Sequence, residues 1–254
     1  MVKKLYLGLL FFFLYAPIIV LMVFSFNESR SGTVWTGFSL TWYEELFRDR
    51  RMQDAFRYTL LVAVISTAVS TFIGTFTAIG IQKLRPKWQA FALNVNYFPV
   101  INPEIVTAIS LMMLYRSLRL DFGFATMLMS HIMFSIPYVI LAVLPRLYAL
   151  DKNLAEAAQD LGATPWQAIV KVIIPQIRPS IFTGALMAFT MSLDDFVISF
   201  FNSGGGVTNL SIEIYAMARR GIRPTVNALA TLMVAVIFTV VLIANRISIR
   251  KAKS

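Results

Sequence analysis

Three carboxylates stand where the chain is otherwise apolar: Glu104 in the run Pro103-Glu104-Ile105-Val106, and Asp194 with Asp195 in Ser192-Leu193-Asp194-Asp195. A charge near the centre of an apolar span costs about 2.5–3.5 kcal/mol on insertion scales, so acids retained there mark either a route for cations or a buried pair. The two consecutive aspartates cannot act alike. Neighbours on a helix are about 100° apart, so only one of them lines a given path. Ser192, three residues before Asp195, falls on the same helix face, placed to donate to a carboxylate or to accept from an ammonium group. The opposing reading pairs these acids with Arg219, Arg220 or Arg223, or leaves one of them protonated between helices.

Other chemistry is poorly supplied. The chain has no cysteine and one histidine, His131, which disfavours thiol catalysis, histidine-based triads and a metal centre. His131 is expected to be buried and hydrogen-bonded rather than a metal ligand. No Gly-x-x-x-x-Gly-Lys-Ser/Thr run is present to cradle nucleotide phosphates, so no ATPase activity is expected of the chain itself.

The elements that must carry the acids are membrane helices. Of 254 residues, 57% are hydrophobic and 14% charged, and the mean hydropathy is +0.69. That is more apolar surface than one core of this size hides. Apolar stretches at 5–26, 58–81, 90–114, 122–144, 180–201 and 226–244 predict six spans in an all-α integral membrane protein. Six spans put both termini on one side. Every lysine (Lys3, Lys4, Lys83, Lys87, Lys152, Lys171, Lys251, Lys253) then falls on that side, which is read as cytoplasmic. The formal charge of +10 is therefore topology rather than nucleic-acid binding.

The expected organisation is a first helix with an extracytoplasmic loop over 1–57, a multi-span helical domain over 58–246 and a basic cytoplasmic tail over 247–254. The outer loop carries Trp35, Phe38, Trp42 and Tyr43 and is long enough for a short surface helix. A second outer segment holds an amphipathic stretch over 210–219. Gly74, Ala78 and Gly80 in the second span permit close helix contact, and Pro99, Pro103, Pro137 and Pro145 are expected to kink their helices.

The long cytoplasmic connection, about 151–175, reads as two short helices broken at Gly162, with Thr164 capping the second and Pro165 in its first position. Trp166, Ile169, Val170, Ile173 and Ile174 form an apolar strip expected to stop at Pro175. Such a strip calls for a partner, or for the underside of the chain's own bundle.

Glu156-Ala157-Ala158, Gly162 and Ile173-Ile174-Pro175 resemble the EAA loop of permease subunits of ATP-binding-cassette importers. Asn27 and Ser29, Thr41-Trp42-Tyr43, Pro103 to Val106, Ser192 to Asp195 and Val226 to Thr231 extend the likeness to the PotC-type permease subunit of spermidine/putrescine importers. Where that family commonly has aspartate, this chain has Glu104.

The resemblance implies a type I ABC importer permease fold in a bacterial plasma membrane, with a substrate path through Trp42, Tyr43, Glu104, Ser192, Asp194 and Asp195. It also implies a coupling helix at Glu156, Ala157, Ala158, Gly162 and Pro175. The implied partners are a PotB-type homologous permease, two PotA-type ATPases that bind ATP and Mg, a PotD-type extracytoplasmic binding protein, the polyamine and membrane lipid. A few carboxylates with aromatic faces suit a chain of ammonium groups and methylenes, and too many would trap it. The alternatives are an importer permease for another cationic or small solute and, from a different class, an ion-coupled secondary transporter using the same acids.

Overall fold

The computed structural model describes residues 2–30, 34–151, 153–220 and 224–252, which leaves Lys152, Arg223 and Lys253 outside the described residues. Long apolar runs with few strand signals give helices, and one isolated bridge, Asn27 to Phe38, is present among the described residues. The chain divides into two units, Met1–Gln53 with Glu213–Ser254, and Asp54–Ile212.

In the first unit, α1 (Val2–Phe24) is almost entirely exposed, as a lipid-facing helix should be. The expected surface helix is α2 (Thr41–Arg48), which buries Trp42 and Leu46. Both α1 and α2 pack on α12 (Pro224–Ala252). Asn27 organises the loop between α1 and α2: its amide donates to the Val34 carbonyl (2.8 Å) and accepts from the Thr36 N–H (2.9 Å).

The second unit holds most of α3 (Arg50–Gln82), then α4 (Pro86–Ile101), α5 (Glu104–Ser117), α6 (Phe124–Tyr148), α7 (Leu154–Asp160), α8 (Pro165–Ala168), α9 (Ile174–Asp194) and α10 (Val197–Asn202). The division at Ile212 falls within the helix α11 (Leu210–Arg220), the expected amphipathic stretch. Helix α6 is central and packs on α4, α5, α9 and α10. Its Val139 is gripped from two sides. A Cβ on Gly74 would lie 2.8 Å from Val139 Cβ, and one on Gly184 would lie 3.3 Å from Val139 Cα. Gly74 thus makes the close contact expected of it, while a Cβ on Gly80 meets nothing within 4 Å.

Among the described residues, four helical stretches are long and apolar enough to cross a membrane: Tyr6–Phe24, Arg50–Gln82, Phe124–Tyr148 and Pro165–Asp194. Two expected spans are broken. The third is α4 and α5 together, bent by 104° at Asn102 and Pro103, because Pro103 has no N–H and pushes Asn102 into extended geometry (φ −71°, ψ 146°). The fifth starts earlier than expected and ends at Asp194, with α10 following as a separate short helix. The sixth expected span falls in α12, where Pro224–Val236 forms a shorter apolar stretch.

Pro175 does not stop its helix. A π-helical turn, Ile169–Ile173, joins α8 to α9, and the wider turn places Pro175 in the first turn of α9, where a missing N–H is tolerated.

Candidate functional site

The site is assembled where two broken helices meet. Asp195 is extended (φ −60°, ψ 126°), which ends α9 and lets α10 begin two residues on. Its carboxylate caps that new helix: Oδ1 accepts from the Ile198 N–H (3.1 Å), and Oδ2 from the Ser199 N–H and hydroxyl (both 2.8 Å). The residue is 5% exposed, whereas Asp194, one position earlier, is exposed. Glu104 opens α5 at the other break, half-buried, within hydrogen-bond range of Asp195 and close to Asp194. Half-buried Tyr138 of α6 stands near Glu104.

Three acidic groups of one sign are thereby gathered, and among the described residues no lysine or arginine makes an ion pair with them. Like charges this close repel unless a positive charge joins them or one carboxyl keeps its proton. The ion pairs found on arginines, Arg48 with Glu44 (3.9 Å) and Arg51 with Glu213 (4.0 Å), involve other acids.

Ser192 is buried and hydrogen-bonded elsewhere than to Asp195: its hydroxyl lies 2.7 Å from His131 Nδ1 and accepts from Ser66 (3.0 Å). His131 is buried and hydrogen-bonded, as expected, and its Nε2 lies 2.8 Å from the Ser199 hydroxyl and 3.4 Å from Asp195 Oδ2. Asn209 adds a bond to the same hydroxyl (2.7 Å) and one to the Asp195 carbonyl (3.0 Å). Sequence reasoning missed this network and Tyr138. Its one legible signal was an aspartate just ahead of the apolar run from Val197 to Phe201, a helix-start pattern hidden inside what reads as a continuous span.

Trp42 and Tyr43 belong to the first unit. Trp42 is 6% exposed and its indole N–H donates to the Asn27 carbonyl (2.6 Å), while the Tyr43 hydroxyl bonds Ser25 (2.7 Å).

In the 151–175 connection, α7 ends in a complete Schellman turn. The Gly162 N–H bonds Gln159 (2.8 Å), the Ala163 N–H bonds Ala158 (3.1 Å), and Gly162 is left-handed (φ 90°). Thr164 and Gln167 then form a reciprocal capping box with Pro165 at the helix start. The apolar strip packs under its own bundle: Ile169, Ile173 and Ile174 join the core around Val139 and Leu147, and Trp166 stacks on Phe76 (5.7 Å). What stays open is α7, with Glu156 and Ala157 exposed, the turn tip, Leu161, 91% exposed, and, on the strip itself, the outer sides of Trp166 and Val170.

Residues 70–254 match the family described as "Binding-protein-dependent transport system inner membrane component". The chain is 37% identical over 241 residues to the spermidine/putrescine transport system permease protein PotC of Escherichia coli K12, covering 95% of this chain and 91% of that protein. The Haemophilus influenzae protein of the same name is 34% identical over 246 residues, with 97% and 96% covered. The putrescine transport system permease protein PotI of Escherichia coli K12 is 37% identical over 251 residues, with 96% and 89% covered. A chain of a bacterial alginate ABC transporter, solved with its alginate-bound periplasmic protein, superposes with a TM-score of 0.74 at 20% identity, covering 99% of this chain and 94% of that one. That likeness shows a shared all-helical permease fold.

Proposed function

Because the chain belongs to the binding-protein-dependent transport system inner membrane component family, we propose that it forms half of the translocation path of an ATP-driven polyamine importer. The observation that carries this reading is the gathering of Glu104, Asp194 and Asp195 at two helix breaks with, among the described residues, no lysine or arginine paired to them. A polyamine supplies the missing positive charges at intervals along an alkyl chain. Exposed Asp194 and half-buried Glu104 receive ammonium groups, and Tyr138 offers an aromatic face. Asp195 and Ser192 support the site from behind, and Trp42 and Tyr43 hold the outer loop.

The remaining parts come from partners: a PotB-type permease for the other half of the path, a PotD-type binding protein delivering substrate outside, and two PotA-type ATPases that hold ATP and Mg. The termini and the 151–175 loop face the cytoplasm. The exposed α7 and its Gly162 turn dock on an ATPase, and closure of the ATPase pair pushes them. Because the second half of the loop is bonded into the core beside α9, that push reaches the helix that ends at Asp194.

The test is uptake by the complete importer in proteoliposomes, with spermidine, putrescine and lysine compared under ATP and with ion gradients collapsed. ATP-dependent uptake of the polyamines, lost in Asp194→Asn, is the expected result. Lysine preference would indicate another cationic solute, and gradient-driven uptake without ATP would indicate a secondary transporter.

A further inference from the structure

His131 bridges the helix break that separates the two aspartates. From the middle of α6 its Nδ1 reaches Ser192 near the end of α9 (2.7 Å), and its Nε2 reaches Ser199 in α10 (2.8 Å), so one buried ring touches both sides of the interruption at Asp195.

The bonds have a single consistent direction. A carboxylate only accepts, so the Ser199 hydroxyl gives its proton to Asp195 Oδ2. The Ser199 oxygen then receives the Asn209 amide N–H and the His131 Nε2–H. Nδ1 is left as an acceptor for the Ser192 hydroxyl, whose own oxygen receives the Ser66 hydroxyl. Five side chains from three long helices, α10 and the segment before α11 thus feed one carboxylate through a neutral Nε2–H imidazole.

We propose that His131 is the positioning residue that sorts the two neighbouring carboxylates, fixing Asp195 in the cap of α10 so that Asp194 is the one presented to the cation. This rests on the reading of Asp194 as a path residue. Without the bridge, nothing on α6 holds Ser199 against Asp195. α9 is then free to wind on through Asp195 and Phe196, which draws the Asp195 carboxylate out of the α10 cap, about 100° round the helix from Asp194, and carries the following chain over Asp194.

The two amide substitutions separate this from a merely space-filling role. A glutamine at 131 places its amide nitrogen near the position of Nε2 and keeps the Ser199 bond; an asparagine reaches only the position of Nδ1 and keeps the Ser192 bond. In the complete importer, His131→Asn is expected to raise the KM for spermidine about tenfold, the size of one misplaced charge-assisted hydrogen bond, while basal ATPase activity is retained. His131→Gln is expected to stay within about threefold of the parent. Equal behaviour of the two, or rescue by Asn and not by Gln, overturns the proposal.

A second measurement does not depend on which solute is carried. The chain has no cysteine, so Asp194→Cys gives a unique thiol in this subunit. In an importer assembled from cysteine-free partners, a cationic methanethiosulfonate is expected to label that thiol readily with His131 or His131→Gln. Labelling several-fold slower is expected with His131→Asn. Labelling that is indifferent to residue 131 overturns the sorting role even where polyamine uptake is confirmed. Absence of polyamine uptake by the parent importer, with residue-131-dependent labelling intact, overturns the substrate reading and leaves the sorting role standing.

Discussion

Asp194 and Asp195 are consecutive in the chain yet stand in opposite environments: Asp194 is exposed at the end of α9, and Asp195 is 5% exposed beneath it, bonded to the start of α10. The break in the helix creates the difference, and Asp195 creates the break. The same substitution should therefore have different consequences at the two positions. Asp194→Asn is expected to abolish polyamine uptake by removing charge from the path while the complex assembles normally. Asp195→Asn replaces one acceptor oxygen with a donor NH2, so it loses at least one of three hydrogen bonds in a buried network and is expected to destabilise the subunit by about 1–3 kcal/mol. Uptake together with thermal unfolding of the purified complex checks both, and an Asp194→Asn complex that melts early while Asp195→Asn does not would reverse the assignment.

Glu104 tests the reach of the path. Its carboxyl stands one methylene further from the backbone than an aspartate's, at the start of α5 where the break at Pro103 frees it from helical neighbours. Glu104→Gln is expected to lower uptake of every polyamine. Glu104→Asp keeps the charge and is expected to retain uptake with an altered ratio of spermidine to putrescine. Competition between the two labelled substrates in one assay measures that ratio, and an unchanged ratio would remove Glu104 from substrate contact.

Much of this arrangement is legible in the residues. Apolar run lengths locate the helices, Gly162, Thr164 and Pro165 foretell the turn in the 151–175 loop, and the retained acids point to the site. Apolarity alone does not show where a span is interrupted: Ala90 to Leu114 and Ser180 to Phe201 read as continuous because the breaks at Pro103 and Asp195 are made by single residues inside apolar runs. Nor does local pattern show that Ser66, His131, Ser192 and Ser199 meet, since they are joined across helices up to 126 positions apart. Pro175 misleads for a third reason: a π turn, which depends on how Ile169 and Ile173 pack into the core, absorbs the proline's effect.

The grip on Val139 predicts a contrast between two glycines of one helix. Adding a methyl at Gly74 drives it to 2.8 Å from Val139, so Gly74→Ala is expected to cost about 1–3 kcal/mol through overpacking. Gly80→Ala meets nothing and gains helix propensity, so it is expected to be neutral or slightly stabilising. Val139→Ala removes the Cγ1 that would lie at 2.8 Å, keeps the Cβ, which has more room to shift, and should partly restore Gly74→Ala. A double-mutant cycle on thermal stability reads the coupling, and additive effects would show that the α3–α6 contact yields without strain.

Gly162 separates the shape of the loop proposed to couple to the ATPase from its composition. Its φ of 90° closes the Schellman turn that leaves Leu161 at an exposed tip and aims α8 back toward the core. A Cβ there meets no neighbour within 4 Å, so any penalty of substitution is conformational rather than steric. An L-residue forced into the left-handed region costs about 1–2 kcal/mol, less for asparagine, which visits that region more readily. Since α7 is exposed and contributes little burial, that cost should be relieved by opening the turn and leave the subunit folded. Gly162→Ala is therefore expected to keep assembly and melting temperature while reducing substrate-stimulated ATPase activity and uptake together, because the tip no longer meets its partner in register. Gly162→Asn should recover a substantial part of both. If Gly162→Ala lowered uptake while stimulated ATPase activity stayed intact, the turn would act on the path rather than on coupling.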